Sequence, residues 1–401
     1  MIIHGDVAFM IVSTVLVLIM VPGLAFFYGG LVPRKHSLTM MFQSFISIGI
    51  VTIMWIFGGF SLTFGKDIGG VIGDITQYFG FVGMDYLINP SYSSNIPFLL
   101  FFMYQLMFAI ITAPLMTGAF ANRLTVSGWI KILIAWMILI YFPVAHWVWG
   151  NGFLAKMGFV DYAGGTVIHI TAGFGCLGGV VFLGERAERQ NSEPFHLGFV
   201  ALGAALLLFG WFGFNAGGSL AAADTAAIVF ANTGVAAASG MIVWLLLHYS
   251  FHKSVSFLEI IIGLVAGLAT VTPAAGYIEP IAATLVGALG ALVCYFCVML
   301  ERKYIDDALD VWGCHGVGGF LGTLLVGVLA NSSINGVYAS IRQFLIQLFG
   351  AVLVAIYSII VTYVIFYLVD KTGSIKVSAE IQKSGLDKEF FNESFSDYKG
   401  K

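Results

Sequence analysis

The sequence predicts an all-α polytopic membrane protein. Eleven transmembrane helices form two inverted five-helix repeats plus a terminal helix, with the N-terminus outside and the C-terminus cytoplasmic. Three observations predict it. The 401 residues are 59% hydrophobic and only 10% charged, at a mean hydropathy of +0.95, whereas a soluble domain carries about 25% charged residues. The basic residues gather on one side of the successive apolar runs, and a short motif recurs five runs apart. No soluble fold of this length hides so much apolar surface. Water-soluble enzymes, nucleic-acid binders and disulfide scaffolds are therefore excluded for the chain as a whole.

In chain order the apolar runs lie near 7–32, 39–64, 96–121, 126–150, 162–183 and 196–220. They continue near 226–249, 256–275, 279–300, 311–331 and 339–369. Each is close to the roughly 20 residues that cross a hydrocarbon core. No Lys or Arg precedes Arg34, so the first run lacks the basic start of a secretory signal and reads as the first span. Many runs are rich in glycine, which suits close helix packing in lipid. The segment from Lys66 to Asn95 is the longest connection and mildly acidic. Residues 1–370 form the membrane domain and 371–401 a polar tail. With the N-terminus outside, fifteen of the eighteen Lys and Arg fall on the cytoplasmic side, and without the tail the ratio is still nine to three. That bias sets the orientation, and an odd number of spans brings the C-terminus to the cytoplasm.

The fifth run contains His169-Ile-Thr-Ala-Gly173-Phe174 and the tenth His315-Gly-Val-Gly-Gly319-Phe320. The first and sixth share Phe27-Tyr28-Gly29-Gly30 and Phe214-Asn215-Ala216-Gly217-Gly218. Five spans repeated after an odd number run in opposite directions, which makes an inverted repeat. Such repeats place a pathway between the halves near the bilayer midplane. The pattern points to a transporter or channel.

Ionisable groups inside spans need a reason, since an Asp at a helix centre costs roughly 2.5–3.5 kcal/mol on insertion scales. Asp161 precedes Tyr162-Ala163-Gly164-Gly165-Thr166, where it can cap the helix and also stabilise a nearby cation. His169 and His315, at matching positions of inverted halves, should meet at the pseudo-twofold axis. Neutral imidazoles bond side by side, and at most one extra proton is expected on the pair. Haem ligation needs room between two rings, whereas the glycines beside both histidines bring helices together around a narrow pore. Phe108, Trp149, Trp211 and Phe214 stand at run ends, as interface anchors or as cation–π faces worth about 2 kcal/mol when desolvated. The four cysteines, Cys294-x-x-Cys297 included, lack the second half of a zinc site and read as helix filler.

Four motifs carry a family resemblance: Phe26-Phe27-Tyr28-Gly29-Gly30-Leu31, Asp161-Tyr-Ala-Gly-Gly-Thr-Val-Ile-His169, Gly210-Trp211-Phe212-Gly213-Phe214-Asn215-Ala216-Gly217 and Gly313-Cys-His315-Gly-Val. In this order the chain resembles the ammonium transporter family, from Gly5-Asp6 to Gly385-Leu386-Asp387. The Trp149 segment favours the ammonium transporter branch over the Rhesus branch. The resemblance implies a homotrimer in the plasma membrane, one pore per subunit, with no cofactor and no enzymatic step. By the same resemblance Trp149 and Phe108 recruit ammonium, Asp161 holds the vestibule, and Phe108 with Phe214 forms a gate. His169 and His315 are then the twin pore histidines, with Trp211 beside them, and Gln105 and Thr272-Pro273 occupy family positions. The pore would carry ammonia, leaving open whether the proton follows along the histidines. The family's usual Ser after Phe-Asn-Ala-Gly is Gly218 here, and Ser219 comes one position, about 100° of helix, later. Gly385, Leu386 and Asp387 resemble the family's regulatory tail, which packs under the trimer and, in prokaryotes, receives trimeric PII-class signalling proteins. The alternative is an ammonium-binding sensor that signals through a cytoplasmic partner.

Overall fold

The structure is a computed structural model and describes residues 2–84, 86–189 and 193–395. Its first five long apolar helices are α1 (His4–Leu31), α2 (Arg34–Phe64), α3 (Phe98–Gly118), α4 (Val126–Met157) and α5 (Gly165–Leu183). After them come α6 (Leu197–Ser219), α7 (Asp224–His252), α8 (Phe257–Val271), α9 (Pro280–Tyr304), α10 (Trp312–Leu329) and α11 (Ile341–Asp370). Among the described residues ten of these are long and apolar enough to cross a membrane, and α8, with 15 residues, is the shorter one. The run expected at 256–275 overshoots because Pro273 offers no N–H to continue the ladder, and the chain turns through 272–279 before Pro280.

The long helices pack in pairs. α1 lies along α6, α7 against α8 and α9, and α11 against α5 and α10. The outer faces stay apolar: Ile281 is 76% and Ile360 56% exposed. In lipid such faces carry no penalty, provided the backbone bonds stay inside each helix.

One element departs from the all-α expectation. β1 (Asp67–Ile68) pairs antiparallel with β2 (Ile72–Gly73) in the long connection. His146 in α4 pins this hairpin, with Nδ1 2.8 Å from Thr63 O and Nε2 3.0 Å from Asp67 Oδ1, and Lys156 bonds the same carboxylate. Hydrogen bonds from Lys156 and then His146 hold Asp67 down to about 2.

The tail folds back on the helix ends. Thr125 N donates to Ile375 O at 2.9 Å and Val377 N to Arg123 O at 3.0 Å. Two short helices follow, α12 (Ala379–Ser384) and α13 (Leu386–Phe391). Leu386 is buried. Asp387 Oδ1 accepts from Thr39 N at 2.8 Å and Thr39 Oγ1 at 2.7 Å, and Oδ2 from Leu38 N at 3.0 Å. The carboxylate therefore caps the start of α2, satisfying N–H groups that a helix cannot satisfy itself. Burial pushes the Asp387 carboxyl up, against these three donors.

Candidate functional site

The site is built on α5 and α10. Gly164, at φ +107°, turns the chain so that four successive N–H groups converge on one carboxylate. Asp161 Oδ1 accepts from Gly164 N and Gly165 N at 2.9 and 2.8 Å, and Oδ2 from Thr166 N and Val167 N at 2.7 and 3.0 Å. From there the helix opens with a π-turn, His169 N donating to Gly164 O at 3.1 Å. The second half repeats the device. Asp307 stands eight residues before His315, as Asp161 does before His169. Asp307 Oδ2 accepts from Trp312 N at 2.7 Å, and Trp312–Gly316 is again a π-turn. Asp310 matches Gly164 and is also left-handed, at φ +57°. Asp is among the few side-chain-bearing residues that adopt this conformation readily.

Glycine lets the half-helices cross in contact. A Cβ on Gly173 would lie 2.2 Å from Gly316 N, and one on Gly319 2.7 Å from His169 Cβ. This approach brings the two imidazoles together, with Nδ1 of His315 3.2 Å from Nδ1 of His169 and ring centroids 5.2 Å apart at 18°. One Nδ1 donates its proton and the other accepts. His169 stacks on Trp211 at 5.4 Å, and Trp211 Nε1 donates to Thr272 Oγ1 at 2.9 Å. Among the described residues His169 Nε2 is buried and has no hydrogen-bond partner.

Three cavities line up through this pair. The first, about 360 Å³, is lined by Gln105, Phe108, Trp149, Asp161, Tyr162 and Gly218. Phe108 and Phe214 close its floor, with centroids 4.5 Å apart at 35°. Beneath them a space of about 10 Å³ is lined by Phe214, Trp211, His169, His315 and aliphatic side chains. That is near the smallest volume that admits one water. His315 also lines the third cavity, about 390 Å³, on the tail side, with Arg186, Arg302, Asp306, Asp307 and Asp310.

The structure thus brings together Phe108, Trp149, Phe214, Trp211, His169 and His315. Trp149 Nε1 donates to Asp161 O at 2.8 Å, and the Trp149 and Phe108 rings meet edge to face at 5.9 Å. Asp161 lines the first cavity, but all its carboxylate hydrogen bonds go to the backbone. Ser219 Oγ donates within its own turn to Ala216 O at 2.9 Å and Ala221 O at 2.6 Å. Gly218 takes the cavity wall, and a Cβ there would meet the Tyr162 ring at 3.0 Å. Gly385, Leu386 and Asp387 lie on the tail side, away from the pore path, at the start of α2. Sequence reasoning missed Asp307 and Glu301 beneath His315, and Tyr104, whose hydroxyl donates to Phe214 O at 2.9 Å and steadies the ring pair. The repeated Asp-x7-His spacing was the available signal for Asp307.

Residues 8–395 match the Ammonium Transporter Family. The chain is 42% identical over 393 residues to ammonium transporter Amt1 of Archaeoglobus fulgidus, covering 96% of this chain and 97% of that one. It is 38% identical to an ammonium transporter of Bacillus subtilis, covering 96% of each. Among solved structures it superimposes on Saccharomyces cerevisiae Mep2 with a TM-score of 0.87 at 32% identity, over 94% of this chain and 88% of that one. A Sensor Amt Protein aligns with a TM-score of 0.89 at 26% identity, over 96% and 97% of the two chains. With its motifs, its crossed half-helices and these relatives in agreement, the chain belongs to the ammonium transporter family.

Proposed function

We propose that this protein recruits ammonium from outside the cell, strips its proton and conducts ammonia to the cytoplasm, while the proton travels along His169 and His315. The observation that carries the reading is the succession of two wide cavities joined by a narrow, mostly apolar space: Phe108 of the first pairs with Phe214 of the narrow one, and His315 lines both the narrow one and the third. Ammonium entering the first cavity meets the Trp149 and Phe108 faces, a cation–π site worth about 2 kcal/mol when desolvated. The Asp161 charge, held by four N–H groups, leaves no free lone pair pointing inward as a tight ligand, so it acts through its field and by fixing the turn. A bare ion below Phe108 and Phe214 would lose its hydration without compensation, at a cost of many kcal/mol. Ammonia needs only a donor and an acceptor, and the unpartnered His169 Nε2 offers one. The Nδ1–Nδ1 bond gives the proton a route beside it. Potassium cannot lose its charge and is rejected.

This reading includes all eleven helices crossing the plasma membrane, α8 among them, with the N-terminus outside, a trimer of independent pores, and residues 371–401 as a regulatory surface for a PII-class protein. The likeness to a Sensor Amt Protein supports a second reading, in which ammonium binding is reported through the tail docked on α2. Currents on solid-supported membranes after an ammonium jump, with potassium as control, test the first. An ammonium-specific current is expected. Equal potassium current would overturn it, and ammonium binding without any translocation would favour the sensor.

A further inference from the structure

The half-helices that carry the histidines begin alike but are capped differently. Counting from the aspartates, Trp312 matches Thr166 and Gly313 matches Val167. In the first half both N–H groups reach Asp161, whereas Gly313 N donates instead to Glu301 Oε2, at 2.9 Å. A second carboxyl, from α9, has therefore taken over part of the cap. Glu301 and Asp307 are 1% and 4% exposed. Their carboxyls accept from the adjacent N–H groups of Trp312 and Gly313, which sets them side by side, and among the described residues Glu301 Oε1 is buried without a hydrogen-bond partner.

The basic groups around this pair are bonded to other carboxylates. Arg302 is engaged by Asp310 at 2.5 Å and Glu259 at 3.3 Å. Arg186 pairs with Asp306 at 2.7 Å and Arg123 with the same carboxylate at 3.6 Å. The other titratable groups facing the pair are Cys176, 3.7 Å from Asp307 Oδ2, with Arg123, Asp310, Cys314, Tyr28 and His315. Two buried carboxylates side by side, with the nearest cations, Arg123 and Arg302, paired to Asp306 and Asp310, do not both stay ionised. Asp307 and His315 line the same cavity.

We propose that Glu301 and Asp307 hold one proton between them and act as the proton acceptor at the cytoplasmic mouth of the histidine pore. The proposal rests on the reading that a proton travels along His169 and His315. A proton leaving the His315 ring crosses the cavity to a carboxylate oxygen, taking the pair from one proton to two. One proton then leaves to the cytoplasm and the pair returns to its starting state, so only N–H and O–H bonds break and form.

Glu301→Gln keeps an acceptor for Gly313 N–H and cannot take up or release a proton. The test measures charge moved per ammonium taken up in proteoliposomes, from membrane current and isotope-labelled ammonium on the same preparation. That ratio is expected to fall from near one toward zero, and Glu301→Asp is expected to restore most of it. A purely structural role would lower current and uptake together and leave the ratio unchanged, which overturns the proposal while the histidine reading stands. Wild-type uptake without charge overturns both. Infrared spectroscopy of the wild type gives a readout that does not depend on the variant folding. A carbonyl band of a protonated carboxyl at neutral pH is expected, shifted in Glu301→Asp, and its absence overturns the shared proton.

Discussion

At the Trp149 end of the pore a single carboxylate satisfies four backbone N–H groups, whereas at the tail end the equivalent turn divides its N–H groups between Asp307 and Glu301. The backbone problem is the same at both ends, since a π-turn opening in a buried place must place its first N–H groups somewhere. The solutions differ in what they leave over. Asp161 is saturated, and a saturated carboxylate holds its position. The tail-end pair has a spare oxygen and a like-charged neighbour, which favours exchange of a proton over its retention. The difference teaches that two matching turns can keep one geometry while one mouth receives a fully bonded carboxylate and the other a pair with an oxygen to spare.

The comparison is broken most directly at the aspartates. Asp161→Ala leaves four buried N–H groups without partners, each hydrogen bond to a charged group being worth about 1.5–3 kcal/mol. Uptake should be abolished and thermal stability clearly lowered, with Asp161→Asn retaining part of both. Asp307→Ala frees fewer N–H groups and should lower the melting temperature less. Equal losses in the two variants, measured by uptake and thermal unfolding, would show that the caps are equivalent after all.

Next in size is a change in what is carried. His169→Asp puts an anion in the constriction and His315→Ala widens it, so the desolvation barrier that rejects potassium falls. Potassium or hydrated-ammonium current should appear in both variants under separate ion gradients. If both remain ammonium-selective with wild-type currents, the histidine pair is only structural. A smaller effect is expected at Trp149→Leu, which removes one aromatic face and the bond to Asp161 O. Apparent ammonium affinity should weaken by up to about 30-fold, equivalent to about 2 kcal/mol, with the fold intact. An unchanged concentration dependence would remove the recruitment role of that mouth.

The smallest effect concerns pH. Asp67 is held at about 2 by Lys156 and His146. On the tail side burial raises Asp306, but hydrogen bonds and charge from Arg186 outweigh it and bring the carboxyl below its ordinary value. Both carboxyls are depressed in the folded state, so each contributes stability that is present above the ordinary carboxylate range. For Asp67 that contribution is lost as pH falls through about 2. Asp67→Asn should therefore flatten the acid limb of the stability curve by a fraction of a kcal/mol, since the pair is partly exposed. An acid limb that superimposes on the wild type would separate the hairpin from the stability of that mouth.

Much of this was legible in the sequence because it is written in periods and rare residues. Long apolar runs locate helices, and two histidines set in glycine-rich spans five runs apart announce a crossing. What stayed hidden depends on small angles and on partners far along the chain. Nothing in Asp67–Ile68 reads as a strand until His146 and Lys156, distant in sequence, hold it against the helix ends. Glu301 looks like an ordinary charge at a helix end, beside Arg302 and Lys303, until α9 carries it under the His315 turn. The fate of Ser219 was equally unreadable, since its hydroxyl is spent on local carbonyls in a turn that apolar patterning does not describe.

The contact between Asp387 and the start of α2 also bears on how the protein is made. The two partners are 348 residues apart. A membrane protein is threaded into the bilayer from its N-terminus, so Leu38 and Thr39 enter the membrane boundary long before their cap exists. Their N–H groups are left to water or lipid headgroups while the remaining helices are inserted. Only a chain translated to its tail can complete that turn, and contacts of such long range form late. The tail therefore closes this contact late in assembly, and a chain cut short before residue 387 would carry the defect near residue 38, far in sequence from the cut.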